Sequence, residues 1–383
     1  MPAWPPLSFE IIARDSETRA RRGCIRRRGQ TIATPVFMPV GTAGTVKAMM
    51  PRDLEAHGFG LILANTYHLL LRPGAEVIAS LGGLHLFMGW EGAILTDSGG
   101  YQVYSLGQNV RVDRDGVTFR SHLDGASFRL TPEGAIATQH RLGSDIVMPL
   151  DECLGHPAAR DAAERSAELT LAWLHRSVAA HQAGGSTSAL FGIVQGGLYE
   201  EVRLASAQAT SELPLDGFAI GGLSVGEEPA AMVELVATTA PVLPEERPRY
   251  LMGVGRPEDL LDAIAHGIDM FDCVLPTRNA RNAQVFTRRG PLKLRHTSHR
   301  SDPAPIDPDC RCYTCRRFSR AYLRHLFNAG EILASVLATI HNLAFYAELM
   351  EGARRAIEAG RFAAYRTTAK QMLGETPPAP DEA

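Results

Sequence analysis

The chain has 383 residues, of which 45% are hydrophobic, and a formal net charge of −3 at pH 7. This content suffices for a full hydrophobic core, and the near-neutral charge excludes a uniformly basic protein that coats nucleic acid. The first thirty residues contain no apolar run typical of a signal sequence and no later run approaches a membrane span, so we expect a soluble, cytoplasmic protein.

The predicted elements follow a βα period along most of the chain. Polar and apolar residues alternate around 9–13 and 19–32, with a turn at 27–30, which predicts an N-terminal antiparallel hairpin closing one end of a barrel. Eight short apolar runs then span 35–40, 61–65, 93–97, 145–151, 190–195, 217–222, 250–253 and 268–273. Helices fit between them at 51–57, 158–182, 198–213, 229–240 and 257–265. Eight such units predict an α/β fold, the (β/α)8 TIM barrel.

Two insertions interrupt this period. Residues 109–130 alternate around an Asp-Gly turn, which predicts an inserted hairpin, and a longer insertion follows the eighth strand. We therefore predict a single catalytic domain at 8–376 that contains a metal-binding, arginine-rich subdomain at 275–347. The Pro-rich, acidic tail at 377–383 is predicted to be disordered. Pro149 lies inside the fourth strand, where it removes a ladder hydrogen bond and predicts a bulge.

Polar residues stand at the carboxyl ends of the predicted strands, where a barrel places its active site. Each residue alone could be a helix cap or a turn, but several carboxylates around one rim are costly unless a ligand or protons relieve them. The strand ends carry Asn65, Asp97, Asp151, Gln195, Gly222, Gly253 and Asp272.

These residue types limit the chemistry. The three lysines, Lys47, Lys293 and Lys370, are not at strand ends, so no Schiff-base nucleophile is available. The rim also has no histidine cluster for a catalytic metal. Paired carboxylates suit attack on an anomeric carbon, one acting as nucleophile and the other moving a proton. A further carboxylate with an amide and a glycine main chain suits a planar heterocycle such as guanine.

The six cysteines do not form an obvious disulfide framework. Cys310, Cys312 and Cys315 have the spacing C-x-C-x2-C, which with one histidine favours a closed structural Zn²⁺ site over an iron–sulfur cluster. His341 and His325 both satisfy the spacing as fourth ligand.

A strongly basic segment lies between the eighth strand and the cysteine cluster and continues past it. Residues 275–324 contain eleven arginines and one lysine against three aspartates. Such a segment is a solvated face by default, or a phosphate-binding surface if the neighbouring site needs a polyanion.

Six motifs together resemble the bacterial tRNA-guanine transglycosylases over about residues 9–364. They are TDSGGYQ at 96–102, LDEC at 150–153, GIVQGG at 192–197, GGLSVGE at 221–227, YLMGVG at 250–255 and FDCV at 271–274. The resemblance implies a homodimeric (β/α)8 enzyme with a zinc-bearing insertion. It implies exchange of the guanine at the first anticodon position of tRNAs for Asp, Asn, His and Tyr for 7-aminomethyl-7-deazaguanine, a step towards queuosine.

The resemblance also assigns roles to individual residues. Asp272 would attack ribose C1′, and Asp97 would transfer protons and orient the base. The base would be bound by Asp97, Tyr101, Asp151, Cys153, Gln195, Gly222, Leu223 and Met252, with Tyr101 and Met252 on its two faces. Arg278 and Arg281 would contact the anticodon loop. The zinc ligands would be Cys310, Cys312, Cys315 and His341, with His325 rejected.

Two other functions remain open from the residues alone. One is a carboxylate-dependent glycosidase or nucleosidase acting on small molecules, and the other is a noncatalytic RNA-binding module. The chain also departs from the family pattern at Ala280, where relatives commonly have glycine, so a left-handed conformation there would be strained.

Overall fold

Eight parallel strands form the centre of the computed structural model, which describes residues 6–106 and 108–374. In chain order they are Val36–Pro39, Leu61–Ala64, Ala93–Thr96, Ile146–Val147, Ala189–Val194, Gly217–Ile220, Arg249–Leu251 and Met270–Cys273. Consecutive strands pair in parallel, the eighth pairs with the first, and a single bridge from Val40 to Leu63 joins the first to the second. This closure confirms the predicted (β/α)8 barrel. The predicted tail at 377–383 lies outside the described residues.

Successive side chains along each strand point alternately into the barrel interior and out towards the surrounding helices, as the two-residue period of a strand requires. Tyr250 and Met270 pack in the interior cluster, whereas Leu251 and Phe271 pack outside it. Asp272 is two residues beyond Met270 and therefore takes the interior side at the carboxyl end of its strand. The alternation thus directs this carboxylate into the barrel mouth.

The fourth strand has only two residues in the ladder, Ile146–Val147. Beyond it the side chain of Gln139 takes over the ladder's role, since its Oε1 accepts from Met148 N at 2.8 Å and its Nε2 donates to Met148 O at 2.8 Å. Pro149 then follows without an N–H to pair. A side chain from the neighbouring helix therefore supports the irregular backbone that leads to Asp151.

An antiparallel sheet covers the amino ends of the barrel strands, as predicted, with one strand more than a hairpin. Its strands are Ser8–Arg14, Arg21–Arg27 and Gln30–Thr34. Two buried arginines anchor it, because Arg21 Nε donates to Asp269 at 3.0 Å and Arg27 Nε donates to Asp145 at 3.0 Å. This end of the barrel is closed, and substrate access is left to the opposite end.

Helices fill the connections between the strands. They are Pro51–Ala56, Thr66–Leu71, Ala75–Ser80, Leu84–Met88, Gly100–Leu106, Pro132–Leu142, Arg160–Ala183, Glu200–Ser211, Pro229–Thr239 with the 3-10 turn Ala240–Val242, and Pro257–Ala265. The first insertion is a three-stranded antiparallel sheet rather than a hairpin, with strands Gln108–Asp113, Gly116–Arg120 and Ser127–Leu130. The third strand returns to pair with the second and leads into the helix that begins at Pro132.

The last part of the chain builds the second insertion and returns to the barrel. Its elements are the helix Leu275–Arg281, the hairpin Gln284–Thr287 and Gly290–Lys293, the 3-10 turn Thr297–His299, and the helices Tyr313–Arg317, Arg320–Ala329, Ile332–Glu358 and Phe362–Gly374. Ile332–Glu358 is long and apolar enough to cross a membrane, but here it is mostly buried. The ring of its Tyr346 packs against Phe37 of the first strand in a tilted arrangement, with ring centroids 4.7 Å apart. Ala280 is helical and not left-handed, so its methyl group is unstrained.

Candidate active site

Asp272 is held at the barrel mouth through only one of its two oxygens. The Tyr250 hydroxyl donates to Oδ1 at 2.6 Å and the Gly253 N–H donates to the same oxygen at 2.8 Å. Burial raises the pKa of the carboxyl, and these two hydrogen bonds oppose that shift. Oδ2 has no hydrogen bond from any part of the chain that the structure describes. One oxygen is therefore oriented by the protein, and the other is left for a substrate.

Asp97 follows the third strand and lies near enough across the barrel mouth for the charge of Asp272 to act on it. Its carboxylate accepts from Asn65 Nδ2 at 2.6 Å and from the Thr66 N–H at 2.8 Å. Burial raises the pKa of Asp97 to about 6, and the charge of Asp272 adds to the shift. A carboxyl with this pKa exchanges protons near neutral pH, which suits a general acid and base.

Asp151 and Gln195 form a second polar edge beside the main chain of Gly222. Gln195 Nε2 donates to Asp151 Oδ2 at 2.8 Å, and the Ser98 hydroxyl lies 3.4 Å from Oδ1. Gly222 has φ of +64°, and a Cβ there would lie 2.2 Å from Gln195 Oε1, so only glycine fits. Burial raises the pKa of Asp151 to about 6. The edge thus offers carboxylate, amide and main-chain groups to one planar ligand.

The remaining predicted base-binding residues surround these carboxylates less closely. Tyr101 is 52% exposed on the helix Gly100–Leu106, and Met252 is half-buried against the interior core. Cys153 is half-buried, and burial raises the pKa of its thiol to about 12. Leu223 is buried, and the carboxylate of Glu227 fixes the loop after it by accepting from the main-chain N–H groups of Ser224 and Val225.

The helix that follows the Asp272 strand carries both arginines predicted to bind RNA. Arg278 is exposed, whereas Arg281 is half-buried and its Nη1 is buried without a partner among the described residues. Two arginines of the wider basic segment have structural ion pairs instead. Arg288 pairs with Asp307 at 3.3 Å and with Glu348, and Arg320 pairs with Asp302 at 3.1 Å. The charge of these two arginines is therefore partly neutralised by neighbouring carboxylates.

The four predicted metal ligands come together in the insertion. Cys310, Cys312, Cys315 and His341 are buried, and their ligand atoms lie within 4.8 Å of one another. His341 Nδ1 lies 3.2 Å from Cys315 Sγ, while its Nε2 bonds the Phe286 carbonyl at 2.7 Å. Tetrahedral zinc with bonds of about 2.0–2.3 Å needs ligand atoms roughly 3.5–3.8 Å apart, so the donor set fits a structural metal site after small shifts of the ligand atoms. The carbonyl bond orients the imidazole, as metal-binding histidines require.

Two supporting residues were not identified from the sequence. Tyr250 was included only as a member of a strand motif, although its hydroxyl holds Asp272. Arg203 was hidden in a helix, and its guanidinium bonds three main-chain carbonyls beneath Gly222. A signal was present, because Arg203 shares the buried stripe of its helix with Ser206, Ala207 and Thr210. A guanidinium on a buried stripe indicates a buried hydrogen-bonding role.

The raised pKa of Asp151 predicts that its ionised carboxylate destabilises the fold once the pH exceeds about 6. The folded-state pKa of Asp151 is about 6 and the unfolded value is lower, so between these values the folded state binds more protons and stability falls as pH rises. We expect Asp151→Asn to be more stable than wild type by about 2 kcal/mol at pH 8 and by roughly half as much at pH 5. Urea unfolding at both pH values measures this difference.

Asp113→Asn is the control for this prediction. Asp113 is exposed, and its hydrogen bond to Arg129 lowers its pKa, so its loss should not stabilise the protein at pH 8. Because each variant is compared with wild type at the same pH, any effect of acid on the metal site is common to both and cancels. An equal gain for Asp151→Asn at both pH values would contradict the prediction.

A barrel that gathers three carboxylates and a main-chain edge at the carboxyl ends of its strands defines an enzyme of the TIM-barrel class with a site for a polar, planar substrate. The family model described as queuine tRNA-ribosyltransferase matches residues 15–374. The chain is 52% identical over 372 residues to the queuine tRNA-ribosyltransferase of Marinobacter nauticus, covering 97% of this chain and 99% of that protein. It is 54% identical over 370 residues to that of Solidesulfovibrio magneticus, covering 97% and 99%. The chain belongs to the queuine tRNA-ribosyltransferase family, which confirms the resemblance seen in the motifs.

Proposed function

We propose that this tRNA-guanine transglycosylase, a pentosyltransferase, replaces the guanine at the first anticodon position of tRNAs for Asp, Asn, His and Tyr. The incoming base is 7-aminomethyl-7-deazaguanine, and the step belongs to queuosine synthesis. One observation carries the proposal within this family. The open oxygen of Asp272 lies at the barrel mouth beside a second carboxylate, and a base-sized polar edge completes the site.

The reaction proceeds by two displacements at ribose C1′. Asp272 Oδ2 forms a bond to C1′ while the bond from C1′ to N9 of guanine breaks, and protonated Asp97 gives its proton to the departing base. The incoming base then loses its N9 proton to Asp97 and attacks C1′, which releases the Asp272 carboxylate. Two inversions retain the configuration, and the shared covalent intermediate requires ping-pong kinetics.

The second polar edge recognises the base. Ionised Asp151 accepts from N1–H and the exocyclic amine, while Gln195 and the Gly222 N–H donate to the carbonyl. Tyr101 and Met252 cover the two faces, and Cys153 borders the same pocket. The Leu223 carbonyl accepts from the aminomethyl group of the incoming base.

The metal, the quaternary structure and the compartment complete the proposal. Zn²⁺ is the metal held by Cys310, Cys312, Cys315 and His341, and its closed shell has a structural role. Residues 8–376 act as one catalytic domain, with the metal-binding subdomain at 275–347. Exposed apolar side chains of this subdomain, among them Tyr313, Ile332 and Leu333, support a homodimer. Its tRNA substrate places the enzyme in the cytoplasm.

Incorporation of radiolabelled guanine into undermodified tRNA tests this function. Wild type should label the tRNA, and the label should be lost when Asp272 is changed to Asn. A small-molecule glycosidase or nucleosidase would release base from nucleosides without labelling tRNA, and an RNA-binding module would do neither. Either outcome would refute the proposal.

Arg278→Ala should weaken tRNA binding without affecting the free base. Arg278 lies in the first two turns of the helix that follows the Asp272 strand. Its guanidinium is exposed there, so it can reach an anticodon phosphate. We expect a loss of about 5–10-fold in tRNA affinity and a salt dependence reduced by about one ion. Filter binding at several salt concentrations measures the tRNA, and calorimetry measures guanine.

Arg165→Ala is the matched control for Arg278. Arg165 is exposed on an outer helix, and among the described residues its salt bridge is with Asp161, so its loss should change neither affinity. An equal loss of tRNA and guanine binding in Arg278→Ala would overturn the assignment.

A further inference from the structure

Arg203 is a buried cation next to the second polar edge, the one formed by Asp151, Gln195 and Gly222. Arg203, on the helix Glu200–Ser211, has no solvent-accessible surface and forms no salt bridge with any described residue. Burial lowers the pKa of its guanidinium to about 10, so it remains charged at neutral pH. A buried charge without a carboxylate partner is costly unless its hydrogen bonds are satisfied. The contacts of Arg203 therefore identify what this charge holds in place.

Every nitrogen of the guanidinium donates to a main-chain carbonyl. Nε donates to Gly197 at 2.7 Å, Nη1 to Gly221 at 3.0 Å and Nη2 to Gly222 at 3.0 Å. These carbonyls belong to the loops after the fifth and sixth strands, which also carry Gln195 and Gly222. The planar fork of arginine fixes several acceptors at once, which a lysine ammonium cannot do in the same geometry.

Holding these carbonyls sets the direction of the Gly222 N–H. The peptide between Gly221 and Gly222 is trans, so its N–H points away from its carbonyl. With the Gly221 carbonyl on Arg203, the Gly222 N–H is turned to the opposite side, towards the thiol of Cys153. The second carbonyl contact fixes the next peptide plane as well. Arg203 therefore holds Gly222 in its left-handed conformation, and the Gly222 N–H points into the pocket.

We propose that Arg203 is a positioning residue that aims the Gly222 N–H at the carbonyl of the purine base and thereby sets the preference for a 6-oxopurine. This inference rests on the proposed function. Arg203 does not touch the base, so its effect reaches the substrate only through the main chain it holds. Loss of the fork should let the peptide rotate and weaken recognition of the carbonyl more than binding of tRNA.

The test compares Arg203→Lys and Arg203→Met with wild type in guanine exchange. We expect the KM for guanine to rise about 10-fold in the lysine variant and about 100-fold in the methionine variant, with the KM for tRNA within about twofold of wild type. 6-Thioguanine keeps N1–H and the amine but replaces the carbonyl by a weaker acceptor. Wild type should prefer guanine over it by about 10-fold, and both variants should lose most of that preference.

Arg249→Met provides the matched control. Arg249 is also buried and also donates to a main-chain carbonyl, that of Leu243, but it lies at the closed end of the barrel. Its loss should lower the melting temperature and leave the preference between guanine and 6-thioguanine unchanged. All assays are run below the melting transition of each variant, as recorded by circular dichroism.

The outcomes separate this inference from the proposed function. If wild type incorporates no guanine into tRNA, the proposed function fails. If wild type is active but the Arg203 variants keep the preference for guanine, or lose tRNA and guanine equally, the positioning role is overturned. Failure of both variants to fold would also overturn it, because Arg203 would then act on the fold alone.

Discussion

Replacing Asp272 by Asn should abolish exchange by at least about 10⁴-fold while leaving the fold and substrate binding intact. The amide oxygen of Asn can still accept from Tyr250 and from the Gly253 N–H, because both contact the same Oδ1. What disappears is the anionic Oδ2, the atom that we propose bonds to C1′. The expected loss is therefore in kcat, with little change in KM for tRNA.

Covalent trapping measures the missing step directly. Wild type incubated with tRNA and a base analogue should give an adduct that resists denaturant, and Asp272→Asn should give none. Asp269→Asn is the control, because Asp269 is buried three residues earlier on the approach to the same strand, where it pairs with Arg21 at the closed end. That variant should lose stability yet still form the adduct. An adduct in Asp272→Asn, or none in stable wild type, would remove Asp272 as the nucleophile.

The barrel could be predicted because its signal is periodic and local. Seven of the eight predicted strands agree with the structure to within about two residues at each end. The fourth, predicted at 145–151, keeps only Ile146–Val147 in the ladder, since Pro149 lacks a donor and Gln139 supplies side-chain bonds instead. The short helices Thr66–Leu71, Ala75–Ser80 and Leu84–Met88 were not predicted, because none has a side-chain cap and each is under two turns.

The residues proposed to contact substrate could be named from the sequence for a reason that does not apply to the residues that support them. Asp97, Asp151 and Asp272 stand at strand ends, and strand ends converge whatever the details of packing. Tyr250 and Arg203 act through contacts between elements that are distant in sequence, and no spacing rule reveals them. The sequence also did not show which arginines of the basic segment form ion pairs. Only the structure shows that Arg288 and Arg320 pair with neighbouring carboxylates.

Removal of the metal should detach the insertion from the barrel and lower the melting temperature by more than about 10 °C, since structural zinc contributes on the order of 10 kcal/mol to small sites. The ligands join two segments, the cysteine loop and the helix Ile332–Glu358. Three further hydrogen bonds tie the hairpin strand Gln284–Thr287 to that helix. They run from His341 to the Phe286 carbonyl, from the Phe286 N–H to Asn342 at 3.0 Å and from Asn342 to the Gln284 carbonyl at 3.2 Å.

The expected functional consequence is selective. The hairpin follows directly from the helix that carries Arg278 and Arg281, so its release should disorder the RNA-binding side of the mouth. Asp151 and Gln195 are held by bonds within the barrel that do not involve the insertion. Chelation, or Cys312→Ser, should therefore reduce tRNA affinity by at least about 10-fold and guanine affinity by less than about threefold.

Cys24→Ser is the matched control for the metal ligands. Cys24 is buried in the N-terminal sheet and lies outside the cluster, so its replacement should keep the metal and the tRNA affinity. Elemental analysis should find one zinc per chain in wild type and in this control, and none in Cys312→Ser. Iron with acid-labile sulfide in place of zinc would show that the four ligands hold a cluster. A Cys312→Ser protein with wild-type melting and tRNA binding would show that the metal does not secure the insertion, and the arginines would then need another means of reaching the barrel mouth in fixed geometry.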